Sequence, residues 1–121
     1  MQCIVVEDDP FWRNEICAGL ALNGVTALPA ATAQEASAHL KQHPGAGMVL
    51  DIILPDRDGL EVLQEAREAN PDVRVVAISG GGRLGPDFYL RLASVFGARV
   101  CLKKPFTTED LVSGWRSAIA A

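Results

Sequence analysis

With 121 residues and 49% hydrophobic side chains, the chain has the size and composition of one folded domain around one core, which argues against disorder. A net charge of -4 argues against nucleic acid binding through a basic face; no apolar run is long enough to cross a bilayer, and none follows the basic leader of a signal peptide. Cys3, Cys17 and Cys101 are odd in number and widely spaced, which suggests neither a disulfide framework nor a zinc site and fits a cytoplasmic domain with reduced thiols.

The apolar run Cys3 to Val6 reads as a first strand, stopped by the acids Glu7, Asp8 and Asp9. Asp9-Pro10 is an N-cap followed by proline at the first helical position. The helix it opens carries Trp12, Ile16 and Leu20 at a spacing of four, which predicts an inward stripe, and Asn23-Gly24 ends it. Phe11 points away from that stripe and is expected to be exposed. Val25 to Leu28 is a weak second strand. Thr32 and Glu35 have capping-box spacing for a second helix, running to about His43, and Pro44-Gly45 breaks it.

Ala46 to Leu50 reads as a buried third strand, with Asp51 the first residue free of the sheet and a turn over Pro55, Asp56, Asp58 and Gly59 behind it. Asp58 and Glu61 suggest a capping box for a third helix bearing Leu60, Leu63, Ala66 and Arg67. Val73 to Ile78, β-branched and apolar, is the fourth strand. A loop of Ser79 and several glycines follows. Asp87 is the expected cap of a fourth helix with Tyr89, Leu92, Ala93 and Phe96, closed by Gly97. Arg99 to Leu102 is the fifth strand, and Thr107 or Thr108 caps a last helix with Leu111, Trp115, Ala118 and Ile119 inward.

Strands alternating with helices imply a parallel sheet covered on both faces. All strand ends then point one way, and open sheets of this class place ligands at that edge. Glu7 and Asp8 come from strand one, Asp51 from strand three, Ser79 from strand four and Lys104 from strand five. Clustered carboxylates repel unless a cation joins them, and an all-oxygen site with few carboxylates suits Mg²⁺. With Lys104 facing the same space, the edge suits phosphoryl transfer, with Asp51 as the nucleophile. Taken singly, each residue has a plainer role: Glu7 and Asp8 as solvated acids before a helix, Asp51 and Lys104 as turn residues, Ser79 as a loop residue.

The motifs Val5-Val6-Glu7-Asp8-Asp9-Pro10, Asp51 to Gly59, Ile78-Ser79-Gly80 and Lys103-Lys104-Pro105-Phe106 together resemble the receiver domain of bacterial two-component response regulators. The resemblance spans essentially the whole length. It implies a flavodoxin-like (βα)5 doubly wound α/β fold with sheet order 2-1-3-4-5, an order that comes from the resemblance alone. It implies that Asp51 takes a phosphoryl group from a sensor histidine kinase or a histidine phosphotransfer protein. It assigns Mg²⁺ to Glu7, Asp8, Asp51 and the carbonyl of Ile53, and phosphoryl oxygens to Ser79 and Lys104; Lys103 is a surface residue. Such a domain catalyses its own phosphorylation and dephosphorylation and is no conventional turnover enzyme. Residues 1–121 are expected to form one receiver with no effector domain, working through contacts with a downstream protein.

The family usually carries an aromatic residue three positions before the lysine, where this chain has Cys101, and the loop after Ser79 is unusually rich in glycine. The expected conformational element is therefore that loop with the start of the fourth helix, where Phe88 or Tyr89 could supply the ring. The alternative is a receiver-like interaction module that takes no phosphate. A phosphatase with an Asp nucleophile is disfavoured, because the position two after Asp51 is Ile53, which cannot carry a proton.

Overall fold

The computed structural model describes residues 1–120. Along the chain run β1 (Gln2–Val6), α1 (Pro10–Leu22), β2 (Thr26–Ala30), α2 (Ala33–Gln42), β3 (Gly47–Asp51), α3 (Gly59–Ala69), β4 (Val75–Ser79), α4 (Pro86–Val95), β5 (Val100–Lys103) and α5 (Thr108–Ile119). The strands form one parallel sheet in the order β2-β1-β3-β4-β5, the doubly wound arrangement that the resemblance implies. Among the described residues no helix is long and apolar enough to cross a membrane.

Between their terminal Gln2, Asp51 and Ser79, the three middle strands are apolar because both of their faces are covered. Their side chains alternate between two cores. Ile4, Val6, Met48, Leu50, Val75 and Ala77 meet Leu40 of α2, Leu63 of α3 and Leu90 of α4. Cys3, Val5, Val49, Val76 and Ile78 meet Ile16 and Leu20 of α1 and Leu111 and Trp115 of α5. Each fully buried aliphatic side chain contributes about 1.5–3 kcal/mol of hydrophobic stabilisation. The two layers hold the sheet rigid, so the strand ends form a fixed frame for the polar edge.

The helix starts are capped locally. Asp9 accepts from the Phe11 N–H (2.9 Å), Asp58 from Leu60 (2.9 Å) and Thr107 from Asp110 (3.0 Å). At α5 the box closes, because Asp110 accepts in turn from the Thr107 N–H (3.2 Å). The boxes expected at α2 and α3 are only half made. Thr32 accepts from the Glu35 N–H, but the Glu35 carboxylate reaches Ala31, and Glu61 turns to Arg57. The fourth helix starts earlier than Asp87 suggested. Gly85 is its N-cap at φ +87°, a conformation open to glycine, and Pro86 follows at the first position, leaving Asp87 inside the first turn.

The turn after β3 is held from two sides. Gly59 donates to the Ile52 carbonyl (3.0 Å), and a Cβ on it would collide with that carbonyl and lie 2.7 Å from the Asp51 carbonyl oxygen. Asp56 accepts from the Ala33 and Gln34 N–H groups (3.0 and 3.2 Å), capping α2 from outside. Those bonds, Ala33 first, hold the Asp56 carboxyl below its usual range.

At the outer strand β2, Thr26 donates to the Met1 carbonyl and Ala30 accepts from Glu7, so Ala27 and Pro29 turn their backbone edges outward. His39 Nε2 donates to the Pro29 carbonyl (2.9 Å).

Candidate functional site

The predicted residues meet at the carboxyl edge. Because β1 and β3 are neighbours, Val6 stands beside Leu50, which sets Glu7 and Asp8 next to Asp51. Asp51 is the last residue of β3 and is buried, one position further into the sheet than the sequence suggested, since the ladder continues through its pairing with Ile78. Ser79 closes β4, and its carbonyl accepts from the Lys104 N–H (2.9 Å), which carries Lys104 around the end of β5. The Lys104-Pro105 peptide is cis.

Lys104 is the hub. Its ammonium donates to Asp51 Oδ2 at 2.8 Å and to Glu7 Oε1. Asp51 Oδ1 accepts from the Ile53 N–H at 2.8 Å, and Glu7 Oε2 from the Asp9 N–H at 3.2 Å. Arg13 Nη1 donates to the carbonyls of Glu7 (3.0 Å) and Asp8 (3.2 Å), pinning the turn that carries both acids. Glu7 is fully buried and Asp8 exposed. Burial pushes the Glu7 carboxyl up to about 7; the hydrogen bond from Lys104 pulls it back down, and the Asp51 charge adds to the rise. Burial works to lower the Lys104 pKa, but the hydrogen bonds to Asp51 and Glu7 outweigh it and raise it, so the ammonium stays charged.

Glu7, Asp8 and Asp51 each offer an oxygen, all within 4.8 Å of one another, an all-oxygen donor set that fits a hard divalent cation. Ile53 lines the same cleft, along with Gly80, Gly81 and Lys104. The Ser79 hydroxyl is completely buried and makes no hydrogen bond within the protein. A buried hydroxyl without a partner costs about 1–3 kcal/mol, and this one stands at the strand end beside the acids.

Trp12 departs from its expected place. It is half-buried, outside both core clusters, while Ile16 and Leu20 do pack inward. Its ring lies 4.9 Å from that of Phe106 and 5.5 Å from Lys104 Nζ, because the first turn of α1 overhangs the strand ends. Phe11 is 64% exposed, as its register predicted. Cys101 is half-buried with Sγ 3.4 Å from the Leu90 carbonyl, and burial pushes its thiol pKa up. Tyr89 packs against Gly82, where a Cβ would strike its ring and lie 3.0 Å from Ile53 Cδ1. An aromatic side chain from α4 thus borders the loop after Ser79.

Sequence reasoning passed over Arg13, Asp56 and the place of Trp12. Nothing in the spacing marks a guanidinium that binds carbonyls, or a carboxylate that caps a helix far away in sequence.

The model of the response regulator receiver domain family matches residues 3–116. The chain is 33% identical to the C4-dicarboxylate transport transcriptional regulatory protein DctD of Pseudomonas aeruginosa over 98% of its own length and 25% of that protein. It is 28% identical to the response regulator MprA of Mycobacterium ulcerans, over 98% of its length and 50% of the relative. The crystal structure of the receiver domain of NtrX from Brucella abortus superimposes with a TM-score of 0.86 at 28% identity, covering 98% of this chain and 99% of that one. The chain therefore spans a quarter to a half of the length of these two curated relatives.

Proposed function

The chain belongs to the response regulator receiver domain family, and from that premise we propose that it accepts a phosphoryl group on Asp51 from the phosphohistidine of a sensor kinase or phosphotransfer protein. The observation that carries this reading is the Lys104 ammonium bridging Asp51 and Glu7 at the sheet edge. An Asp51 carboxylate oxygen forms a bond to phosphorus as the phosphorus–nitrogen bond breaks, and the imidazole leaves with the electron pair. Water later attacks the phosphorus, releasing inorganic phosphate and the free carboxylate.

Lys104 has three donors. Two serve Asp51 and Glu7, and the third is available to a phosphoryl oxygen. Ser79, its hydroxyl otherwise unpartnered, supplies a donor to another. Glu7, Asp8, Asp51 and the Ile53 carbonyl would hold Mg²⁺, which when bound neutralises charge on the transferring group. The three free thiols are in keeping with a cytoplasmic setting, and the output is a protein–protein contact.

Two results test this. Wild-type protein incubated with acetyl phosphate takes up phosphate when Mg²⁺ is present and none in chelator. Its melting temperature rises with Mg²⁺, because the cation relieves repulsion among the acids, while Asp8→Ala shows little rise. An unshifted wild-type melt, or an equal shift in Asp8→Ala, would remove the cation from these residues.

The donor surface is read from Phe11, which is exposed and shares an apolar cavity of about 270 Å³ with Trp12, Phe106 and Leu111 beside the site. Exposed apolar patches next to a reaction centre mark docking surfaces. Phe11→Ala is expected to slow transfer from the phosphorylated kinase about tenfold, the scale of an interface aromatic, and to leave acetyl phosphate labelling unchanged. Undiminished kinase transfer would take Phe11 out of the interface.

A further inference from the structure

The path of the Lys104 side chain raises a question the two carboxylates do not answer. A lysine stem has four rotatable carbons and a strongly hydrated head, so two acids alone do not explain how its ammonium is kept over the cleft. The stem is held at Gly80: a Cβ there would lie 2.8 Å from Lys104 Cβ and 3.0 Å from Cδ, so the stem runs directly along bare backbone. The head meets the Trp12 ring, with Nζ 5.5 Å from its centre. That ring is itself braced by Phe106, tilted at 4.9 Å. It borders the acidic cleft on one side and the apolar cavity on the other.

We propose that Trp12 is a positioning residue for phosphoryl transfer, holding the Lys104 ammonium over Asp51. An aromatic face attracts a cation through its quadrupole without occupying an N–H in a directional bond. All three Lys104 donors therefore stay available to oxygens. When Asp51 becomes an acyl phosphate it loses its full negative charge, and the ammonium must follow the charge to a phosphoryl oxygen. A ring face tolerates that slide, whereas a hydrogen-bond acceptor in its place would oppose it. Water is kept off the same side of the ammonium.

This inference rests on the proposed phosphoryl acceptance at Asp51, and the test separates the two. Trp12→Leu and Trp12→Phe are compared with wild type in Mg²⁺ and saturating acetyl phosphate. The leucine variant is expected to label about tenfold more slowly at saturation, and the phenylalanine variant to recover to within about threefold of wild type. The donor concentration for half-maximal rate should not move. Independently of any phosphoryl chemistry, the Lys104 ε-methylene protons should show an upfield ring-current shift by NMR in wild type and Trp12→Phe, lost in Trp12→Leu. Labelling of Trp12→Leu at the wild-type rate, or a phenylalanine variant as slow as the leucine one, overturns the role of Trp12. A wild type that carries the ring-current shift yet takes no phosphate overturns the proposed phosphoryl acceptance and leaves the ring-to-ammonium contact standing. Absence of the shift in wild type overturns the contact itself.

Discussion

Asp51→Asn is expected to incorporate no phosphate from acetyl phosphate or from a phosphorylated kinase, while keeping the wild-type circular dichroism spectrum. The Asp51 carboxylate combines a fixed orientation with contact to Lys104 at the end of the central strand. Its Oδ1 is oriented by the Ile53 N–H and its Oδ2 by the ammonium. An amide has the same shape but is not a comparable nucleophile. It also cannot reproduce both bonds. With its oxygen toward Ile53, its NH₂ faces a donor, so Lys104 shifts to Glu7. The loss of the Asp51 charge then lowers the Glu7 pKa, because that charge contributes to the rise. Carbon-detected NMR titration of Glu7 in the variant measures the fall. Phosphate retained on a folded Asp51→Asn protein would show the nucleophile to be elsewhere.

Replacing Lys104 by methionine should have the next largest effect. Loss of one charged donor aimed at the transferring group costs about 10²–10³ in rate, read as the initial rate of Mg²⁺-dependent labelling. It also leaves two buried carboxylates without their counter-charge, and the response is a proton on Glu7. In wild type the folded Glu7 pKa of about 7 stands above the ordinary 4.5. Between those values the folded protein holds more protons than the unfolded chain, so the Glu7 contribution to stability is complete below the unfolded pKa and is lost as pH rises through the folded one. In chelator, the stability difference between wild type and Glu7→Gln should therefore move against wild type from about pH 5 to about pH 8. With Lys104→Met the same decline should extend to higher pH, because the ammonium that lowers the Glu7 pKa is gone. Urea midpoints across that range decide it: a difference that is flat, or that grows in favour of wild type with pH, would refute the protonation of Glu7.

The fold was legible because the three middle strands are largely apolar runs and most helices carry their own punctuation. The alternation of Ile4 and Val6 against Cys3 and Val5 needs only a two-residue period, and Asp9-Pro10 and Thr107 mark helix starts by local hydrogen bonds alone. The convergence of Glu7, Asp8, Asp51 and Lys104 was legible because parallel strands bring all their ends to one edge. What escaped depends on contacts between segments far apart in the chain. Trp12 fits the stripe of Ile16 and Leu20, yet its turn lies past the sheet and finds Phe106 and Lys104 instead. Asp56 looks like an ordinary turn residue until α2 is seen to begin beside it. Asp87 has the chemistry of a cap, but Gly85 has the backbone geometry, and geometry decided the start of α4.

The meeting of Pro29 and His39 bears on how copies of this protein can and cannot associate. An outer strand normally presents a row of unmatched donors and acceptors, a template on which another chain can add a strand and begin to aggregate. On β2 the outward position Pro29 has no N–H to offer, and its carbonyl is already taken by the imidazole of His39. Both halves of the backbone unit are thus closed to an incoming strand at the fourth position of this five-residue edge, and the remaining open groups are too few for a continuous ladder. Growth of the sheet into a shared, fibre-like assembly is opposed on the β2 side, so self-association there has to be built from side-chain surfaces rather than from strand pairing.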